Sequence, residues 1–462
     1  MNAQGRKTIT EPAREIPQLL EADVIVVGGG TTGPIAALAA ARQGSKVVLI
    51  ERFGSLGGNM TLGLNTKPSG ALSGGIPLEM WTKARTIGAA GSDYMATSKV
   101  KDVKIASPCD PELMKMLLTR TLDDAGVTIL FETVVSGPVM VGNRVSGVII
   151  ENKAGRSYIE GKVVIDCSAD GDIAAQAGAP FVMGDGDAHA VQPVSMYFTM
   201  SNVDVKRLAV WADAHPEEVP ARAIPRDDKD LDYGLWLTGF NRMIQRFQKE
   251  TGIKLQRENI TLKTANGVLY VNATRVLGVD GLSPTEMSAA LLECYRQIEA
   301  VAQFLKQMIP GFEKSAILQI APVIGVRETR HILGDYVLTG DDVTTGAGFE
   351  DTIGADCSAM DIHDVKGGDV DWQGLAPYEI PYRCLVPREV EQLLVAGRCI
   401  SVDHTAHGRT RNMPACMATG QAAGTAAALA VRGNALVRDV DVPSVQDVLR
   451  SINMPLKAAE FA

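Results

Sequence analysis

One stretch constrains this chain more than any other. Asp23-Val24-Ile25-Val26-Val27 is an apolar, β-branched run of the kind a strand buried on both faces requires. It leads into Gly28-Gly29-Gly30-Thr31-Thr32-Gly33, a G-x-G-x-x-G turn, and then into an Ala-rich helix expected over 34–43. Gly44 stops that helix, and 46–50 reads as a second buried strand ending at Glu51. Each part of this βαβ unit has a task. Gly28 permits the tight turn, Gly30 lets the backbone approach a pyrophosphate, and Gly33 allows close helix–strand packing. The helix N-terminus, at Thr31 and Thr32, offers free N–H groups to phosphate. Glu51 can bond ribose hydroxyls. A lone glycine pattern is a weak signal, but here strand, turn, helix, strand and carboxylate fall in register, which points to a dinucleotide site.

The rest of the chain divides by pattern. Residues 1–20 read as an N-terminal extension. Asp110-Pro111-Glu112 opens a helix to about 124, with Asp as cap and Pro in the first turn. A strand follows over 127–131. Turn signals at Gly142-Asn143 and Ala154-Gly155 mark a β-meander, and 163–165 is again a buried strand, ending at Asp166. From 181 to 380 the pattern becomes α+β, with a long helix opened by Ser283-Pro284-Thr285-Glu286, read as a capping box, and stopped at Pro310. Beyond Tyr382 the first style returns, with a strand over 393–397 and a helix over 415–431 closed by Gly433. The expected fold is therefore α/β. A three-layer Rossmann-like domain with a β-meander spans 21–180 and 381–440, and an α+β substrate or cap domain, 181–380, is inserted in it. A chain of 462 residues has room for both.

Composition removes several function classes. The net charge of −9 and the lack of a Lys/Arg cluster argue against a nucleic-acid partner. Seven scattered cysteines without a C-x-x-C pair argue against zinc, iron–sulfur or disulfide frameworks, and suit reduced thiols in a cytoplasm. No apolar leader is visible, and the run 414–431 is built of Ala, Gly and Thr, as in a tightly packed helix and not a membrane span.

Which dinucleotide is bound follows from a resemblance. Glu51 is followed by Arg52, four further residues and the doublet Gly57-Gly58, a pattern similar to FAD enzymes of the glutathione-reductase-like superfamily. The stretch 57–63 (GGNMTLG), Asp166-Cys167-Ser168-Ala169-Asp170-Gly171-Asp172, the strand end Leu394–Ser401 (LVAGRCIS) and 413–424 (MPACMATGQAAG) resemble one FAD-dependent oxidoreductase family, related to the flavoprotein subunits of succinate dehydrogenase and fumarate reductase. The resemblance implies an FAD cofactor. It brings Gly57, Gly58, Asn59 and Met60 near the isoalloxazine, Val135 to the adenine through its backbone, and Ser168, Asp170, Gly397 and Arg398 to the cofactor. It also implies that Gly420, Gln421 and Ala422 place a helix N-terminus at the flavin, where a positive dipole end suits reduced, anionic flavin. The related subunits carry a flavin-linking His that this sequence lacks, which implies non-covalent FAD. Only one nucleotide fingerprint is present, so a built-in NAD(P)H site is not expected.

Four clusters compete for the chemistry, which needs a proton acceptor and often a cation for a substrate carboxylate. The first is a loop from His404 through His407 and Arg409 to Arg411, lying between the Gly397 strand and the flavin helix. Arg pairing with carboxylates or phosphates is its plainer reading. Two histidines without an evident third ligand argue against a metal. The second is Arg327-Glu328-Thr329-Arg330-His331, where a bracing ion-pair network is as good a reading. The third is Asp361-Ile362-His363-Asp364, with His363 reaching the flavin or standing in a solvated turn. The fourth is Tyr382 with Arg383, where simple aromatic packing is slightly favoured. The expected activity is a dehydrogenase or oxidase moving a hydride from a small polar or carboxylate-bearing molecule to FAD, with electrons leaving to an external acceptor or O2. Runners-up are a flavin monooxygenase using external NAD(P)H and O2, and a flavoprotein subunit of a larger complex. Exposed apolar positions among Leu291, Leu292, Ile298 and Phe304 would suit a partner, and a homo-oligomer is compatible with the sequence.

Overall fold

The computed structural model describes residues 8–70, 72, 74–92, 94–95, 104–105, 107–225, 228–363, 370–373 and 376–461. The βαβ unit forms as its residues dictate. Strand Gln18–Val27 pairs in parallel with Val47–Ile50, and helix Gly33–Arg42 crosses between them. The first strand begins inside the expected extension, because Gln18–Glu21 align with Tyr158–Glu160.

Strand Gly155–Asp166 is the spine of the first sheet. Its first half closes the meander with Arg144–Asn152, which pairs in turn with Val134–Val141. Its second half runs parallel to Gln18–Val27 on one side and to Leu393–Val395 on the other. The outer parallel strand is Thr128–Leu130, fed by helix Pro111–Asp124, whose N-cap Asp110 accepts from Glu112 N and Leu113 N. Helix Met413–Gly433 lies against helix Gly33–Arg42. A Cβ on Gly424 would sit 2.1 Å from Ala36 O, so small residues are what let these helices meet. Seventeen of the 21 residues of Met413–Gly433 are buried, which explains the all-round apolar reading of that segment. Among the described residues no helix is long and apolar enough to cross a membrane.

The second sheet is antiparallel, in the order Ala221–Ala223, Trp236–Gly239, Ile260–Ala265, Val268–Asn272, Phe198–Ser201, Ala316–Ile320. Its strands alternate. Leu237, Ile260, Leu262, Val271 and Phe198 enter a second apolar core with helix Pro284–Met308, while Trp236, Thr238, Thr261, Lys263 and Asn272 face a cavity. Ile298 and Phe304 are buried in that core and Leu292 is exposed. Ser283 caps the helix by accepting from Glu286 N, but the reciprocal half of a capping box is absent: Glu286 accepts from Asp280 N instead. The first core also takes in Ile332, Leu338, Val343, Ile353, Tyr378 and Ile380, all from the stretch expected in the cap. Backbone pairing explains this in part, since Leu338 bridges to Val402, Gly334 bridges to Pro387, and Ile332 N donates to Cys399 O.

Candidate functional site

A single cavity of about 1450 Å³ runs from the G-x-G-x-x-G turn to the inner face of the second sheet. Its volume exceeds what one drug-sized molecule needs, roughly 300–1,000 Å³. It has room for a dinucleotide and a small substrate together.

The nucleotide end is built from the first sheet's strand ends. Gly28 sits at φ +99°, and a Cβ there would lie 2.5 Å from Cys167 O. Glu51, buried, accepts from Gly29 N at 2.6 Å and from Phe53 N at 2.8 Å, and burial pushes its carboxyl up from the usual range. Thr32 caps helix Gly33–Arg42 without any side-chain bond, and no acidic residue stands in the first turn, so the helix keeps its N-terminal charge for a ligand. Gly30 is the informative glycine: a Cβ there would meet nothing within 4 Å, although its neighbours are close-packed. That open cradle at the positive end of the helix fits a pyrophosphate. Across from it, Asp166 is fully buried and accepts from Ser168 N, Ile173 N and Ala174 N, which fixes the turn Ser168-Ala169-Asp170 at the cavity wall. Asp170 is paired with Arg398 at 2.5 Å and accepts from Thr329 Oγ1.

Gly28, Gly30, Thr31, Thr32, Glu51, Arg52, Gly58, Asn59, Val135, Ser168, Asp170 and Arg398 all line the cavity. Others among the expected cofactor residues stand behind the wall. Gly33 packs on Gly28 O, Gly57 on Thr61, and Gly397 on Thr32, while Met60 is buried. Gly420, Gln421 and Ala422 require a correction. The helix expected over 415–431 begins at Met413, so these three lie in its buried interior and not at the end near the flavin, with Gln421 accepting from Ile76 N and Gly420 against Thr32 O. The N-terminus that faces the cavity belongs to Asn412, Met413 and Cys416.

The far end is cationic. Arg257, Arg327, Arg411, Lys67 and Lys263 line it, and Asp361 is the carboxylate among them. Arg411 pairs with Asp361 at 2.8 Å, and the neighbouring guanidinium groups hold that carboxyl well below its usual range, against the opposing effect of burial. His363 Nε2 lies 3.2 Å from Asp361 Oδ1, and burial with Arg327 nearby lowers its pKa to about 3, so the ring is neutral. Arg327 donates to Pro193 O, and burial brings its pKa down to about 10. Lys263 donates to Asn65 Oδ1 at 3.1 Å, which also accepts from Tyr197 OH. Burial lowers Lys263 to about 7 and Lys67 to about 8. Cys416, at the wall, is pushed up to about 12 by burial and stays protonated.

Of the expected catalytic residues, the fold brings Arg327, Arg411 and His363 together at this wall. The others lie elsewhere, because 404–410 is a short helix and not a loop. Its turns send Arg409 into the core, where it donates to Ser358 O, Val343 O and Ala376 O beneath the Tyr378 ring. His407 is fully buried on Arg327 O, and His404 pairs with Glu328 at 2.8 Å. Tyr382 is buried and donates to Val437 O, and Arg383 pairs with Asp351 at the surface. Asp364 lies outside the described residues. Lys67, Lys263, Arg257, Asn65 and Tyr197 were missed. The one visible hint was Lys263 itself, a lone charge in the strand sequence ITLKTA.

A dinucleotide cradle joined to a chamber lined by cationic side chains defines a nucleotide-dependent redox enzyme of the Rossmann-like class. The chain belongs to the FAD dependent oxidoreductase family, whose pattern matches residues 23–449, and FAD is its cofactor. By fold it resembles a geranylgeranyl bacteriochlorophyll reductase-like protein of Thermoplasma acidophilum, with 14% identity over 96% of this chain and 86% of that one and a TM-score of 0.50. It is also similar to an aromatic hydroxylase of angucycline biosynthesis (12% identity, 89% of this chain, 63% of that one, TM-score 0.44). A myxobacterial chondrochloren halogenase gives 15% identity, 93% and 78% coverage and a TM-score of 0.45. A comparison with curated protein sequences returned no match.

Proposed function

We propose that this enzyme oxidises a small anionic molecule, carboxylate-bearing and polar, at the cationic end of its cavity. One observation carries the reading: among the described residues, Arg257, Arg327, Arg411 and Lys263 line that end together, with Asp361 as the carboxylate beside them, in a chain whose net charge is −9. Positive charge on that scale in a buried chamber is costly, and a substrate anion would offset it.

The nucleotide-end residues named above would hold FAD non-covalently, and bound FAD supplies the two-electron acceptor. Arg327 and Arg257 would fix the substrate's carboxylate, and Arg411, already turned toward Asp361, would orient it. Lys263, neutral in part near pH 7, is placed to take the proton that substrate oxidation releases. His363, neutral and buried, would shape the chamber. Helix Met413–Gly433 aims its positive end at the same space, which favours reduced, anionic flavin. The cap boundaries 181–380, kinship with succinate dehydrogenase and fumarate reductase flavoprotein subunits, a cytoplasmic location, an external acceptor or O2, and self-association all belong to this proposal.

The test is anaerobic bleaching of the yellow protein by a panel of hydroxy acids, amino acids, phosphorylated compounds and neutral sugars. Bleaching by anionic compounds alone is the expected result. Bleaching by neutral compounds, with anions inert, overturns it.

A further inference from the structure

Behind the Arg327 wall lies a cluster that the redox reading does not use. Glu328, His331 and His407 are all but fully buried, and one donor atom from each falls within 4.8 Å of the other two. The hydrogen bonds fix which nitrogen of each ring carries a lone pair. A carbonyl oxygen only accepts, so His331 Nδ1 donates to Val402 O at 3.0 Å and His407 Nε2 donates to Arg327 O at 2.9 Å. The remaining nitrogens, His331 Nε2 and His407 Nδ1, are buried without any hydrogen-bond partner. His331 Nε2 approaches Glu328 Oε1 at 3.1 Å, outside hydrogen-bonding geometry.

Two orphaned, buried ring nitrogens beside a carboxylate are costly as a polar cluster. Their arrangement is the one metal ligands adopt. Each imidazole is oriented by a backbone carbonyl through its other nitrogen, and the carboxylate is braced by neighbours. His404 Nδ1 meets Glu328 Oε1 at 2.8 Å, and Gln192 N donates to Glu328 Oε2 at 2.9 Å.

We propose that Glu328, His331 Nε2 and His407 Nδ1 bind a divalent transition-metal ion of the zinc or iron(II) class. Two imidazoles and one carboxylate are the ligands those ions take. The hydrogen bonds leave both ligating nitrogens without a proton, so the ion enters without displacing one. The ion ties strand Arg330–Ile332 to helix His404–Thr410 and so steadies the backbone of Arg327. His404 is a positioning residue acting through Glu328.

The experiment measures zinc, iron, manganese and cobalt in the FAD-loaded protein purified without chelator, then follows Co2+ titration of the chelator-treated protein above 520 nm, clear of flavin absorption. About one ion per chain and a Co2+ spectrum are expected. His407→Asn and His331→Asn should lose both while keeping FAD, and His404→Gln should keep the spectrum with about a tenfold weaker affinity. Absence of metal together with no Co2+ spectrum in the wild type overturns the site, as does undiminished binding in both Asn variants. If the Asn variants fail to fold, X-ray absorption of the wild-type metal decides: imidazole and oxygen ligation supports the site, and sulfur ligation or no imidazole overturns it.

Discussion

Replacing Lys263 by Met should stabilise the protein, and more so at lower pH. Burial takes the ammonium from its ordinary 10.5 to about 7. A lowered base favours its neutral form in the fold, so the unfolded chain binds the extra proton between these values and stability rises with pH there. Below pH 7 the cost is present in full. At 1.36 kcal/mol per pH unit it amounts to about 5 kcal/mol as a ceiling, falling to about 2 kcal/mol at pH 9 and vanishing above 10.5. Losing the bond to Asn65 returns about 1 kcal/mol. An unfolding entropy of about 2.1 cal/mol/K per residue makes each kcal/mol worth about 1 °C in a chain of 462 residues. Lys263→Met should therefore raise Tm by about 4 °C at pH 6 and about 1 °C at pH 9. Differential scanning fluorimetry of the FAD-loaded, substrate-free protein in a zwitterionic buffer measures this. A gain that does not change with pH, or a loss at every pH, would refute the burial argument.

Gly30→Ala should leave circular dichroism and Tm of the FAD-free protein unchanged, since its Cβ meets nothing. It should still weaken FAD binding at least tenfold by flavin fluorescence titration, while Gly28→Ala, against Cys167 O, should not fold. Glu51→Gln should keep the bond from Phe53 N or Gly29 N but not both, weakening FAD binding by about 1–3 kcal/mol in the same titration. Arg327→Met should raise KM for the anionic substrate by about a hundredfold or more, with a smaller change in kcat; a reversed split would remove Arg327 from substrate binding. Activity should rise as pH passes upward through about 7 and lose that rise in Lys263→Met.

The nucleotide end was legible in the sequence because its determinants are local. The turn glycines, Glu51 and the cap at Asp110 act within a few residues of their partners or at fixed offsets. The substrate end was not, because pairing brings it together: Lys263 reaches Asn65 across 198 positions. Proximity to the flavin helix promoted His404, His407 and Arg409, but a helix points successive side chains about 100° apart, so neighbours in sequence part company in space. Placing Gly420, Gln421 and Ala422 at the flavin-facing end of that helix had a visible correction in Pro414, a residue that belongs in a first turn.

Strand Gly155–Asp166 pairs with Gln18–Val27, well before it in the chain, and with Leu393–Val395, more than two hundred residues after it. The cradle is therefore a late event in the chain's life. Gly28 and Thr32 leave the ribosome on the order of tens of seconds before Gly397 and Gly420, the residues that close on Thr32. Until then the first sheet has a bare edge beside a half-built phosphate turn. The pyrophosphate turn therefore gains its final packing only once the C-terminal helix has been made.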